Sequence, residues 1–193
     1  DTAKVLGRFL DGIMIRTYSH DDVTTLAANS SIPVINGLTD LHHPCQVMAD
    51  LMTAFENGKD LNNMKVGFIG DGNNMANSWV EAAVKFGFTL AVASPAGYSV
   101  DKSIQEIALN NPKITFINDP MEASKNADII YTDVWISMGQ EKDREKKLKD
   151  FSGYTINKSM TAHAKKDFIF MHCLPAHRGE EIAPEVIDGP NSV

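Results

Sequence analysis

Two short clusters in this 193-residue sequence bring together a carboxylate, a hydroxyl and a thiol, groups that could hold a small amino-bearing substrate. Asp133-Val134-Trp135-Ile136-Ser137-Met138-Gly139 follows the apolar run at residues 127–131, and His172-Cys173-Leu174-Pro175 follows the run at 168–171. Both runs look like buried strands, so both clusters should lie where strands open into loops. Loops at the carboxyl ends of parallel strands are where α/β folds bind ligands. Asp133 would answer an ammonium group, Ser137 and the backbone after it a carboxylate, and Cys173 would stand beside them.

Other residues suit the rest of such a site. In Gly70-Asp71-Gly72-Asn73-Asn74-Met75 a strand turns through glycines into a helix expected over residues 76–86. A dinucleotide fingerprint would need a third glycine where Met75 stands, and an acid after the next strand, where Ser94-Pro95 occur. The turn is better read as presenting Asn73 and Asn74, whose amides can donate and accept at once. His42-His43-Pro44-Cys45-Gln46 opens another helix, whose free N–H groups favour an anion or a polarised carbonyl. His43 and Gln46, three apart, could donate to one carbonyl oxygen, although a His before a helical Pro is as readily a cap. Arg16 ends the run at 13–15 and offers a guanidinium fork for phosphate or carboxylate; an edge salt bridge is its other reading. His172, Cys173 and His177 lack the spaced ligand pairs of a structural zinc site, so no metal is expected.

These residues need a scaffold that delivers several strand ends to one edge. Apolar runs bounded by Gly, Pro or Asp recur at 13–15, 33–35, 66–69, 90–93, 114–117, 129–131 and 168–171, mostly separated by segments of helical spacing. That alternation predicts an α/β fold, a doubly wound parallel sheet with flanking helices. Residues 44–57 carry Pro in the first turn, Val47, Met48, Leu51, Met52 and Phe55 at helical spacing, and Gly58 just past the end. This helix, at 44–58, is the expected bridge between the tail of one α/β domain at 1–43 and a larger one at 59–193. The charge run 141–150, EKDREKKLKD, predicts a solvated helix or a mobile loop, and its place directly after Ser137-Met138-Gly139 suits a loop that moves over a ligand.

Bulk properties narrow the partners. A net charge of −7 disfavours nucleic acid and anionic membrane surfaces, both of which select clustered Lys and Arg. No apolar stretch approaches the ~18 residues of a membrane span. Only two cysteines, Cys45 and Cys173, occur, which suits a reducing, cytoplasmic setting.

Taken in order, Arg16 in IMIRTY, residues 43–46 as HPCQ, Asn74 in GDGNN, residues 133–139 as DVWISMG and Cys173 in HCLP resemble the carbamoyltransferases, on their ornithine-using branch. The aspartate-using branch lacks the SMG loop and the cysteine after the equivalent His. The resemblance implies transfer of the carbamoyl group of carbamoyl phosphate to the δ-amine of L-ornithine, a step of arginine metabolism that needs no cofactor. It assigns Arg16, His43 and Gln46 to carbamoyl phosphate and Asn74, Asp133, Ser137 and Met138 to ornithine. Cys173 and Leu174 would line the pocket beside the attacking nitrogen, with Arg16, His43 and Cys173 closest to the chemistry. A carbamoyltransferase for putrescine or an acylated ornithine, or a non-catalytic amino-acid-binding module, are the rival readings. The family's Ser-Thr-Arg-Thr phosphate loop does not occur in this sequence, and a further family Arg would fall beyond Val193. The sequence is therefore expected to be a piece of a longer homotrimeric protein, with little turnover alone.

Overall fold

The computed structural model describes residues 1–136 and 141–193. The chain begins with α1 (Thr2–Leu6), β1 (Ile13–Arg16), α2 (His20–Ala28) and β2 (Val34–Leu38), and β1 and β2 pair in parallel. After α3 (Pro44–Glu56) come β3 (Lys65–Ile69), α4 (Asn74–Phe86), β4 (Thr89–Ala93), α5 (Lys102–Ala108), β5 (Ile114–Ile117), α6 (Pro120–Ser124) and β6 (Ile129–Thr132). A 3-10 turn at Glu141–Asp143 leads into α7 (Arg144–Asp150), followed by α8 (Lys158–Thr161), β7 (Ile169–His172) and α9 (Pro184–Ile187).

The larger sheet is parallel throughout, in the order β5-β4-β3-β6-β7. The chain winds outward from β3 to β5, returns to the other side of β3, and winds outward again. This is the expected doubly wound topology, and its order reverses between β3 and β6. Adjacent loops leave in opposite directions there, opening a crevice at the carboxyl edge.

Strand alternation builds a core on each face. Val66, Phe68, Leu90, Val92, Ile129, Tyr131, Ile169 and Met171 point to one side and pack with α3, α4 and α5. Ile69, Ala91, Ala93, Ile130 and Phe170 point to the other, with Ala123 of α6, Trp135, Phe151, Ile156 and Val186 of α9. Such two-sided burial explains why these strands read as continuous apolar runs.

The expected apolar face of α3 is narrower than its sequence suggests. Val47, Leu51 and Ala54 enter the core, whereas Met48, Met52 and Phe55 are 55%, 63% and 68% exposed. Positions 47, 51 and 54 form the single stripe that one layer of neighbours can cover; 48, 52 and 55 lie about 100° further round the helix. The charge run forms α7, and at one position it is far from solvated: Lys147 is buried. No helix among the described residues is long and apolar enough to cross a membrane.

Gly72 sets the position of the β3–α4 turn. Its N–H donates to the Tyr98 carbonyl at 2.8 Å, and a Cβ there would lie 2.3 Å from backbone atoms of Ser99 and Val100. Two backbones touch at this point, so no side chain can yield. Gly72→Ala should cost at least about 2 kcal/mol, in the upper part of the range for overpacking. Urea denaturation checks this, and an unchanged midpoint would contradict the close approach.

Candidate active site

Three loops meet at the switch point through the carboxylate of Asp133. Thr132, fully buried, closes the end of β6 onto β3 by donating from Oγ1 to the Ile69 carbonyl at 2.6 Å. The next residue, Asp133, then accepts three hydrogen bonds. Its Oδ2 receives Asn73 Nδ2 at 2.6 Å, and its Oδ1 receives the Val134 N–H at 2.7 Å and the Cys173 thiol at 2.9 Å.

Asn73 explains its own residue type. As the N-cap of α4 its Oδ1 accepts from the N–H groups of Met75 and Ala76, at 3.0 and 3.3 Å, which leaves the amide nitrogen for Asp133. An aspartate would cap equally well but would set a second anion against Asp133. Asn74 begins α4 and uses its Nδ2 on the Thr39 carbonyl at 2.8 Å, tying the helix to the segment after β2. Asn77 bonds the Leu41 carbonyl at 2.9 Å and Ser78 Oγ receives the His43 N–H at 2.7 Å, so α4 holds the β2–α3 connection at three points.

At the end of β7, burial pushes the Cys173 thiol well above its ordinary range, and the neighbouring Asp133 carboxylate pushes it further. The sulfur is therefore a protonated donor at neutral pH, unlike an activated nucleophile. His172 Nδ1 accepts from the Leu174 N–H at 2.8 Å, which leaves Nε2–H to donate to the fully buried Glu181 at 3.2 Å. Ligand atoms of Asp133, His172 and Cys173 lie within 4.8 Å of one another. The described contacts among them are hydrogen bonds, with His172 Nδ1 accepting from the Leu174 N–H and the protonated thiol donating to Asp133. Leu174 projects into solvent, 63% exposed, with φ of 55°, a left-handed conformation that an L-residue holds at a cost of about 1–2 kcal/mol. Such strain tends to sit at functional sites.

On the facing side, Arg16 ends β1 and His43 is the N-cap of α3. Burial lowers the imidazole pKa, and the Arg16 charge lowers it again, against opposing effects of Asp133 and the Gly37 backbone. His43 is thus a neutral ring at pH 7, within electrostatic reach of both the Arg16 guanidinium and the Asp133 carboxylate. Gln46, one turn into α3, donates from Nε2 to Asp50 Oδ1 at 3.0 Å. The structure therefore brings Arg16, His43, Gln46, Asn74, Asp133, Cys173 and Leu174 to one end of the molecule; Ser137 and Met138 lie outside the described residues.

Sequence reasoning missed two supports. Lys147 of α7, 6% exposed, donates to Asp71 at 2.5 Å and to the Trp135 carbonyl at 2.7 Å. It joins the two sides of the segment that carries Ser137 and Met138 to the glycine turn of Asn73. A lysine inside an alternating charge run gives no sign of burial. Asp50 is the other; its place four residues after Gln46 was the available signal.

Fold and cleft together define a doubly wound α/β protein whose ligand crevice faces a second, smaller parallel sheet. Residues 62–193 match the family model described as "Aspartate/ornithine carbamoyltransferase, Asp/Orn binding domain", and residues 1–56 match its "carbamoyl-P binding domain". The chain belongs to the aspartate/ornithine carbamoyltransferase family. It is 50% identical over 195 residues to the ornithine carbamoyltransferase of Syntrophus aciditrophicus, spanning all of this chain and 65% of that protein. It is 52% identical over 198 residues to that of Carboxydothermus hydrogenoformans, spanning all of this chain and 64% of the relative. The solved ornithine carbamoyltransferase of Pyrococcus furiosus superposes with a TM-score of 0.91 at 49% identity, over all of this chain and 63% of that one. The chain thus spans just under two thirds of the length of these relatives.

The state of the thiol is open to a direct check. Cys45 is exposed, whereas Cys173 is half-buried and bonded to Asp133. At pH 8 iodoacetamide should label Cys45 at least about tenfold faster, because the thiolate is the reactive form. Asp133→Asn should accelerate labelling of Cys173. Mass spectrometry of tryptic peptides reads both rates; equal labelling in the unsubstituted chain would contradict the protonated, shielded thiol.

Proposed function

We propose that the chain is the ornithine-binding portion, with the end of the carbamoyl-phosphate portion, of a cytosolic ornithine carbamoyltransferase whose full length is that of its relatives. The domain limits are 1–43, the connecting helix 44–58, and 59–193. The observation that carries the reading is the convergence of three loops on Asp133 at the switch point, opposite a guanidinium and a neutral imidazole.

Each group has a task that its environment suits. Asp133, Asn74, Ser137 and Met138 hold the amino-acid end of ornithine, with Asp133 answering an ammonium group. Arg16 offers its fork to the phosphate of carbamoyl phosphate. His43, neutral and able to donate, and Gln46 polarise the carbamoyl carbonyl and stabilise the oxyanion that forms there. The deprotonated δ-amine attacks this carbon, a C–N bond forms, and the tetrahedral intermediate expels phosphate, leaving citrulline. The amine sheds its remaining proton to phosphate or water. Cys173 and Leu174 wall the pocket beside the attacking nitrogen; a protonated thiol can donate a hydrogen bond there but cannot displace phosphate. The substrate arrives activated, so no step calls for a metal or organic cofactor. The complete protein is a homotrimer, a state that light scattering tests.

The test is a citrulline assay on the chain extended to the length of its relatives, with ornithine, putrescine and acetylornithine compared. Ornithine should be preferred by at least about 100-fold, since a site built for a charged α-amino acid leaves buried polar groups unpaired with an analogue. Asp133→Asn should raise the KM for ornithine by at least about tenfold, the scale of one lost charge-assisted bond, while carbamoyl phosphate binding is kept. The 193-residue chain alone should show no useful turnover. Preference for putrescine, or unaltered ornithine affinity in Asp133→Asn, would overturn the assignment.

A further inference from the structure

Gln46 and Asp50 lie one turn apart on α3 and face the same way. The Gln46 amide nitrogen donates to Asp50 Oδ1 at 3.0 Å, and Asp50 is 5% exposed. Its second oxygen, Oδ2, is buried without a hydrogen-bond partner, as is the hydroxyl of Tyr131 on β6 that faces it. The groups around Asp50 come from every neighbouring element: Gln46 on its own helix, Tyr131 from β6, Asp133 after β6, His172 from β7 and Cys173 just beyond. Among the described residues, none of the charged partners that would normally keep a buried carboxylate in place is bonded to it. A buried carboxylate with one half-satisfied side is a burden on the fold, and replacing it with a neutral residue of the same shape ought to help stability.

We propose that Asp50 is a positioning residue for the carbamoyl end of the site: its carboxylate fixes the Gln46 carboxamide. This rests on the function proposed above. Gln has three side-chain torsions, and free rotation would spread its amide over many directions. One N–H of the amide is spent on Asp50, which fixes the amide plane and leaves the second N–H and the carbonyl oxygen with defined directions. Asp50 does not touch substrate. It acts by narrowing what Gln46 can do.

Ionisation follows the same geometry. Burial is the main cause that pushes the Asp50 carboxyl up from 3.8 to about 6, and the Asp133 charge adds to it; Tyr131, Gln46 and His172 act in the other direction. The folded pKa is above the unfolded one, so the fold holds its proton where the unfolded chain has lost it. Stability therefore falls as pH rises from about 4 towards about 6, and the cost is complete above that. Activity runs the opposite way. The charged carboxylate is the better acceptor for Gln46, so turnover should rise with pH through the same window.

The experiment uses Asp50→Asn and Asp50→Leu in the chain extended to the length of its relatives, with kinetics and thermal denaturation from pH 4.5 to 8.5. Asn keeps an oxygen for Gln46 and loses the charge; Leu loses both. The expected result is kcat reduced about tenfold in Asn and further in Leu, and a raised KM for carbamoyl phosphate. The KM for ornithine should stay within about twofold, and the limb of the pH profile near 6 should vanish. Melting temperatures at pH 8 should equal or exceed that of the unsubstituted protein. A merely structural carboxylate would lose stability and activity together, and that outcome overturns the proposal. So does Asp50→Asn with full kcat and an unaltered acid limb. If the unsubstituted protein makes no citrulline, the proposed function itself has failed; the positioning role falls with it, while a stability gain at pH 8 in Asp50→Asn still identifies a carboxylate the fold does not need.

Discussion

The Asp133 carboxylate is where the two halves of the winding are joined. A doubly wound sheet opens a crevice between β3 and β6 because successive loops turn away from each other, and nothing in the sheet ladder holds those loops at a fixed spacing. Here the Asp133 carboxylate gathers three of them, with Lys147 tying the β3 and β6 loops a second time. Asn73 reaches it from the turn after β3, Val134 from its own loop, and Cys173 from the end of β7. Charge-assisted bonds of this kind contribute more than neutral ones and carry stricter geometry. Two of the three donors are themselves fixed from behind, Asn73 by its cap on α4 and Cys173 by the His172–Glu181 pair one residue earlier in the chain. The crevice is consequently formed before any ligand arrives, which lowers the ordering cost that binding must overcome.

Around that carboxylate the protein accumulates buried polar groups that stability alone does not explain. Asp71 and Lys147 form an ion pair on which both partners are largely desolvated, and Glu181 is fully buried with only one oxygen hydrogen-bonded. Such pairs return little net stability over apolar residues of similar shape, and breaking one leaves an uncompensated charge. What they supply is direction. Lys147 fixes the Trp135 carbonyl, the glycine turn and α7 relative to one another with a single ammonium group. A hydrophobic contact of equal energy would allow sliding, and the same three pieces would meet in several arrangements.

Most of the architecture was legible in the sequence because burial on both sheet faces writes strands as unbroken apolar runs, and Gly, Pro and Asp mark their ends. The runs at 66–69, 90–93, 114–117, 129–131 and 168–171 all became strands of one parallel sheet. The helix over residues 76–86 begins two residues earlier, at Asn74, because Asn73 rather than a later residue supplies the cap. Less legible was anything that depends on which side of an element meets a neighbour. The α3 pattern was equally compatible with a wide apolar face, and only the packing of its neighbours, α4 among them, chooses Val47, Leu51 and Ala54 over Met48, Met52 and Phe55. Lys147 was invisible for the same reason: its fate is decided by Asp71, distant in sequence, and not by its charged neighbours.

The site's own residues separate along a similar line. Asp133 and Cys173 could be picked out because each directly follows a buried strand, and position alone sends such residues to the crevice. That they bond each other needed the register of β6 against β7, in which Thr132 pairs with His172 and the two following residues stand side by side. Arg16 and His43 come from a different sheet and a different helix, so their approach to Asp133 is a property of how the smaller parallel pair sits on α4. Three side chains set that seating, Asn74, Asn77 and Ser78, all from the first two turns of α4. The helix that begins beside the carboxylate thus also carries the contacts that bring the guanidinium and imidazole toward it. Cap, carboxylate, facing guanidinium and facing imidazole form one mechanically continuous unit because they share a single helix start.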